Sequence, residues 1–306
     1  MNPGARRATR AEVSAIRALE RAGVACDVMQ TESPGHATEL ARAHAARYDV
    51  VFTLGGDGTA MEVITALADK GGGPPVGILP GGTGNLLVRS LGMPLSVSRS
   101  VHALLKGVEA RIDLGRLKDG RHFAIGLGVG LDEAMIAGAS PLMKKRIGIF
   151  AYIWSAAKAG LRLEEFQVRL TVDGKVFERK ASSVLIANLG SVLGGLISFG
   201  DGILRDDGLL HACIYSPQNL WDAARIFAKM LRGTVQSDRC AFYVSGREFR
   251  LETDPPRRAQ ADGELLEKTP IEITVRPQAA RILIPERRRK WRERVVDGAP
   301  SVGVST

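Results

Sequence analysis

Cysteine is scarce in this chain of 306 residues, which holds only Cys26, Cys213 and Cys240. They lie far apart and are odd in number, so neither a disulfide framework nor a zinc site is indicated, and a reducing compartment fits best. Aromatic residues make up 5% of the chain, so its core must be aliphatic. No apolar run reaches the roughly 18 residues that a spanning helix needs. The longest candidate, 147–161, is broken by Lys158. No apolar stretch follows the basic opening MNPGARRATR, so no secretory signal is legible. The basic residues come without an interleaved aromatic platform or a helix-turn-helix pattern, which argues against a nucleic-acid partner. These absences leave a globular protein, soluble or peripheral to a membrane, of a length that suits two domains.

What is present begins with charge. The net charge is +9, and much of the excess sits in Arg287, Arg288, Arg289, Lys290, Arg292 and Arg294. Such a tail is either simply solvated or drawn to an anionic leaflet, where each basic residue contributes about 1 kcal/mol. The first third of the chain alternates helix and strand. Residues 10–22 carry Val13, Ile16 and Leu19 at helical spacing, Gly23 stops them, and VACDVMQ (24–30) reads as a strand. Residues 36–47 read as a helix, 48–54 as a buried strand, 60–69 as a helix and 76–79 as a short strand. That alternation indicates a doubly wound parallel sheet with helices on its faces. From about Ile112 strand patterns dominate, joined by turns such as Asp173-Gly174, Asp207-Gly208 and Asp262-Gly263. They indicate an antiparallel β-sandwich, interrupted by helices near 139–161 and 218–232. The expected architecture is α/β plus β: a nucleotide domain over 1–111, a sandwich over 112–275, and a segment 276–306 that can return to the first domain and ends in the basic tail. The opening strand of the doubly wound sheet is missing from the pattern, as a start placed too late or a truncation would leave it.

Two glycine-rich turns carry the chemistry. Gly55-Gly56-Asp57-Gly58-Thr59 follows a buried strand and opens a helix. Glycines there let the backbone approach a phosphate, and the helix N-terminus supplies free N–H donors. A carboxylate in such a loop repels phosphate, so Asp57 makes sense beside a Mg²⁺ ion that bridges to the phosphates. The plainer alternative is a tight turn with a capping Asp or Thr. A second turn, PGGTGN at 80–85, follows the next strand. Two such turns at the carboxyl ends of neighbouring strands converge on one crevice, where open α/β sheets bind ligands. Neither is a Walker loop or a dinucleotide fingerprint. GLGVG at 126–130 lies within a strand pattern and reads as close strand packing.

GGDGTAMEV followed by LPGGTGN resembles the catalytic domain of diacylglycerol kinases, sphingosine and ceramide kinases and bacterial lipid kinases. NPGARRA at 2–8, LRDDGL at 204–209 and QADGE at 260–264 resemble further elements of that family, in order, over roughly residues 2–285. The resemblance implies an ATP- and Mg²⁺-dependent kinase that moves the γ-phosphate onto a lipid hydroxyl, of diacylglycerol, ceramide, a sphingoid base or phosphatidylglycerol. It implies nucleotide contacts at Asn2, Thr31, Gly55, Gly56, Asp57, Gly58, Thr59, Glu62, Gly82 and Thr83, with Asp57 also catalytic. Glu264 would be the general base, and Asp207 would bind a structural Mg²⁺ with the carbonyls of Leu204 and Leu209. Asp132 would border the lipid head group, although the residue alone fits an ordinary turn or a helix cap equally well. From residues alone, DGE and DDG also fit plain hairpin turns. The implied setting is cytoplasmic, peripheral to the inner face of an anionic membrane, with a lipid substrate as partner, no nucleic acid, and a homodimer allowed. Met61 stands where the family has Asn, and Asp201-Gly202 where it commonly has Pro-Asp. The other readings are an NAD kinase-like phosphotransferase and a catalytically silent lipid- or nucleotide-binding regulator.

Overall fold

A computed structural model describes residues 3–130 and 164–286 of the protein. Helix α1 (Pro3–Arg21) begins at a proline, whose fixed φ suits a first helical turn. The stretch that resembles the family's opening loop, NPGARRA, is therefore largely helix, and Asn2, expected at the nucleotide, lies outside the described residues. Residues 24–30, expected as a strand, join no ladder. A strand exists only through a hydrogen-bonded neighbour. Strand β1 (Val51–Gly55) pairs with β2 (Val76–Pro80) and, among the described residues, with nothing on its other edge.

Between these strands the chain forms α2 (His36–His44), a single 3-10 turn at 45–47, and α3 (Asp57–Asp69). After β2 come α4 (Leu86–Ser90), α5 (Val97–Leu105) and β3 (Val108–Leu117). Then follow β4 (His122–Phe123), the buried β5 (Gly126–Val129), β6 (Phe166–Val172) with alternating burial, the largely exposed β7 (Lys175–Ala181) and the buried β8 (Ser183–Ala187). A small hairpin, β9 (Ser191–Val192) and β10 (Ile197–Ser198), precedes β11 (Leu210–Tyr215) and α6 (Leu220–Arg232). Five strands follow: β12 (Ala241–Gly246), β13 (Glu248–Asp254), β14 (Arg258–Ala261), β15 (Glu264–Lys268) and β16 (Ile271–Ile284).

One sheet runs β1-β2-β16-β13-β6-β7, with β3 also against β16 and β4 beyond β3. The other runs β12-β11-β8-β5-β14-β15 and is antiparallel throughout. The two face each other across an aliphatic core that includes Leu127, Leu170, Ile186, Leu251 and Ile273. This is the sandwich. A second core lies around β1, β2 and the helices and includes Ile64, Leu79, Leu87, Val101 and Ile282. Met61 is buried there, so it packs the core. Strands β3 and β16 serve both cores. Ile282 of β16 pairs in parallel with Val76 of β2, while Ile273 pairs with Phe249 in the sandwich. The 111/112 and 275/276 boundaries thus fall inside strands. Asp173-Gly174 and Asp262-Gly263 form two-residue hairpin turns with positive φ at both positions, the geometry that matches strand twist. Asp207-Gly208 instead lies in the loop between β10 and β11. The helix expected near 139–161 and the tail after Glu286 lie outside the described residues.

Candidate active site

The two glycine turns meet through their backbones. Gly81 donates its amide to the Gly55 carbonyl at 3.0 Å. A Cβ on Gly82 would lie 2.5 Å from the Gly56 Cα, and one on Gly81 would lie 2.7 Å from the Gly55 nitrogen. Only glycine allows this approach. Thr59, in the first turn of α3, packs against Gly55, where an added Cβ would come within 2.7 Å of its Oγ1. The 82–85 turn is closed by Asn85, in the left-handed region at φ 48. Its Oδ1 accepts from the Gly82 amide at 3.0 Å and its Nδ2 donates to the Gly82 carbonyl at 2.8 Å. Thr83 is exposed at the tip.

Asp57 latches the turns together. Its Oδ2 accepts from the Leu86 amide at 2.9 Å and its Oδ1 from the Leu87 amide at 2.9 Å. These are free donors at the start of α4. Each oxygen keeps a second lone pair. Glu62, one turn further along α3, does the same for α2: it accepts from the amides of Gly35 at 3.0 Å and Ala37 at 3.1 Å. Both side chains expected at the nucleotide thus brace neighbouring helix starts. Thr31 is exposed in the irregular stretch before α2.

Glu264 comes from the sandwich to the same place. A Cβ on Gly58 would lie 3.1 Å from its Oε1, so the carboxylate stands over the first turn of α3. The turn that carries it is fixed by Asp262, at φ 49. Asp262 accepts three amide hydrogens, from Ala124 at 2.6 Å, Ile125 at 2.9 Å and Gly126 at 3.0 Å. The residue is half-buried but its carboxyl is enclosed. Burial pushes that carboxyl up to about 6 against the pull of the three donors, and the negative Asp57 adds to the rise. Gly263 donates its amide to Gln260 Oε1 at 2.7 Å, which closes the turn from below. Asn85, Gln260 and Asp262 stand inside the quoted motifs, but their bracing roles depend on contacts that no spacing reveals.

Leu204, Asp207 and Leu209 lie elsewhere, beside the crossing of β3 and β16. Asp207 Oδ1 accepts from the Leu209 amide at 3.0 Å, and its Oδ2 is 3.3 Å from His211 Nε2. Asp113 of β3, fully buried, accepts from the Gly208 and Gln278 amides, both at 2.6 Å. Burial raises the Asp113 carboxyl against those donors, and the charges of Asp207 and Asp206 raise it further. Among the described residues no three His, Cys, Asp or Glu converge as a metal cluster. Asp132 lies outside the described residues.

Known proteins match this arrangement. Residues 1–117 match the family model "Diacylglycerol kinase catalytic domain", and residues 126–284 match "YegS C-terminal NAD kinase beta sandwich-like domain". A diacylglycerol kinase of Staphylococcus saprophyticus is 30% identical over 82% of this chain and 82% of its own length. An uncharacterized Synechocystis protein is 27% identical over 77% of this chain, which spans 54% of that relative. A Bacillus anthracis str. Sterne crystal structure shares the fold, with a TM-score of 0.76 over 90% of this chain and 91% of that one at 24% identity. With a family model over the sandwich half and a relative matched along most of both chains, this chain belongs to the diacylglycerol kinase family, whose members are kinases with an alcohol group as acceptor.

Proposed function

We propose that the protein is an ATP-dependent lipid kinase that transfers the γ-phosphate to a lipid hydroxyl, of diacylglycerol or of a related lipid such as ceramide, a sphingoid base or phosphatidylglycerol. The observation that carries this reading is the meeting of Glu264 with the GGDG turn at Gly58. One domain offers a backbone cradle suited to phosphates, and the other sets a carboxylate beside it. Phosphoryl transfer asks the protein chiefly for such positioning and charge management.

In this mechanism the nucleotide phosphates are held by the amides of the two turns that are not already bonded, those of Gly81 and Gly82 being taken by Gly55 and Asn85. Glu264 accepts the hydroxyl proton as the lipid oxygen attacks the γ-phosphorus, the bond to the bridging oxygen breaks, and ADP leaves. Mg²⁺ carried by the nucleotide would neutralise charge on the phosphates. The site fits it, because Mg²⁺ keeps several waters and takes one or two carboxylates plus substrate oxygens, and Asp57 retains a free lone pair on each oxygen. Asp207, with the carbonyls of Leu204 and Leu209, would hold a structural Mg²⁺, which would neutralise charge in the 204–209 loop. Asp262 keeps Glu264 at its post and does not itself transfer a proton.

The test is radiolabelled ATP with a total-lipid extract, followed by identification of the labelled product, for the parent protein and Glu264→Gln. The parent is expected to label a lipid phosphomonoester. The variant is expected to lose about 10²–10⁴-fold in kcat, the range for a general base, with nucleotide affinity nearly unchanged. Label absent from every lipid overturns the proposal. Collapse of nucleotide affinity in the variant would make Glu264 a nucleotide or metal ligand and place the base elsewhere.

A further inference from the structure

Helix α6 wears its apolar residues on the outside. Its inward side is narrow: Asp222 and Ile226 are the buried residues, set against the outer surface of the six-stranded sheet. The side turned away carries Leu220 at 51% exposure, Trp221 at 85% and Leu231 at 44%. Exposed Ala224 lies between them, with half-buried Phe227 and Ala228 alongside. Positions 220, 224, 227, 228 and 231 recur at helical spacing, so they form one stripe. Three of the eleven large apolar side chains exposed among the described residues sit on this one helix. Single exposed apolar residues are ordinary, whereas a contiguous face rimmed by polar groups marks an interaction surface.

The rim is basic. From Leu220 to Arg239 the chain holds Arg225, Lys229, Arg232 and Arg239 against Asp222 and Asp238. Arg225 and Lys229 are tied to Asp238, Arg225 also to Asp222, so both acids are neutralised from within. Arg239 reaches Asp222 at 3.2 Å but is 77% exposed, and Arg232 forms no ion pair among the described residues. Cations therefore remain at the edge of the stripe. An amphipathic helix with an apolar face, a tryptophan and a basic flank has the composition of one that lies in a lipid interface.

The helix is also connected to the crevice. It packs on β10 of the small hairpin, and Leu193–Gly195 at the hairpin tip packs on α4. A Cβ on Gly194 would lie 3.9 Å from the Arg89 carbonyl of α4, the helix whose first amides Asp57 holds. Leu196, 49% exposed, extends the apolar surface toward that side.

We propose that the outward face of α6 is where the protein seats on an anionic lipid–water interface. Leu220, Trp221 and Leu231 enter the boundary between head groups and chains, and Arg232 and Arg239 meet head-group phosphates. This rests on the reading of the acceptor as a lipid, since only such a substrate obliges the enzyme to work at an interface. The chain has three tryptophans, so Trp154→Phe with Trp291→Phe leaves Trp221 as the sole reporter. With vesicles of phosphatidylcholine and brominated phosphatidylglycerol, its emission is expected to shift to the blue and be quenched. Much weaker quenching is expected with brominated phosphatidylcholine alone. In the otherwise native protein, Trp221→Asp with Leu231→Asp is expected to weaken affinity for the anionic vesicles by at least about tenfold, equivalent to about 1.4 kcal/mol. Phosphorylation of a short-chain diacylglycerol dispersed as monomers should not change. Unquenched Trp221, or undiminished vesicle affinity in the double variant, overturns the proposal. So does a dimer that the double variant splits without loss of vesicle affinity, which would assign the face to a second copy. The quenching needs no substitution on α6, so it decides the matter even if the double variant fails to fold. Quenched Trp221 with no labelled lipid product would sink the lipid-kinase reading and leave the docking face standing, and the opposite pair of results would do the reverse.

Discussion

Replacing Asp57 by Asn separates its two roles, because the structure assigns it a load beyond the nucleotide. The carboxylate accepts the Leu86 and Leu87 amides, both at 2.9 Å. An amide side chain keeps one acceptor and turns an N–H toward the other donor. One charge-assisted bond is lost, and one half-buried backbone N–H is left facing a like group. A hydrogen bond to a charged group contributes about 1.5–3 kcal/mol, and a stranded donor adds to the loss, so Asp57→Asn is expected to destabilise the core around β1, β2 and the helices by about 2–4 kcal/mol. At about 2–4 °C per kcal/mol for a domain of 150–250 residues, that is a fall in Tm of at least about 4 °C. The loss should be felt first at the start of α4, a helix of five residues whose Leu87 packs in that core. Urea unfolding gives the magnitude, and hydrogen exchange at the Leu86 and Leu87 amides gives the place. Kinase activity is expected to vanish under conditions where the variant is still folded. Unchanged stability with unchanged exchange at those two amides would refute the latch. An active variant with unaltered Mg²⁺ dependence would refute the part played beside the phosphates.

Two further substitutions probe the meeting point of the domains. Gly58→Ala adds a methyl 3.1 Å from Glu264 Oε1 inside α3, where Ala is favoured over Gly by about 1 kcal/mol; we expect equal or higher thermal stability together with a lower kcat, and an undiminished kcat would mean that the Glu264 position is immaterial. The Asp262 carboxyl is pushed up to about 6 from 3.8, so the native state holds its proton more tightly than the unfolded chain does; this contribution is full below pH 3.8 and is lost as pH rises through about 6. Asp262→Asn is accordingly expected to remove that component, so that the urea midpoint of the parent falls relative to the variant's between pH 4 and 6, and parallel midpoints across that window would contradict it.

The glycine turns were legible because their demand is local. A strand that ends in Gly-Gly and restarts as a helix has few other uses, and the described residues have α3 and α4 starting at and just after those turns. The sandwich was legible in part through period-two patterning, as along β6, where Phe166, Val168, Leu170 and Val172 are buried while Gln167 and Arg169 are exposed. Residues 24–30 failed because strand propensity says nothing about whether a partner edge is in reach. The bracing role of Asp57 was hidden because its partners, Leu86 and Leu87, lie 29 and 30 residues away. Glu264 could be told from an ordinary hairpin carboxylate only by family resemblance, since Gly58 is two hundred residues earlier in the chain. The exposed face of α6 was hidden for a different reason. Leu220, Trp221, Phe227 and Leu231 fit a buried stripe equally well, and which stripe faces inward is settled by the sheet beneath.

The sharing of β3 and β16 between the two cores bears on how the protein can be divided. Strand β2 has β1 on one side and β16 on the other, and β3 is held by β16 along almost its whole length. A fragment ending at Leu117 would lack the strand that joins β2 to β3, and its sheet would fall into two unconnected pieces. A fragment starting at Gly126 would carry the far half of β16 as an apolar strand, with Ile282 and Ile284 stripped of the core that buries them. The stretches that match two separate family models are therefore not separable folding units. The crossing point, where the β3–β16 register shifts between Arg276 and Ala280 and Asp113 holds Gln278, is the one interruption in the ladder that joins them. Among the described residues the two cores are joined by continuous strands, so any opening of the crevice would have to twist the sheet, and that interruption is where its ladder is weakest.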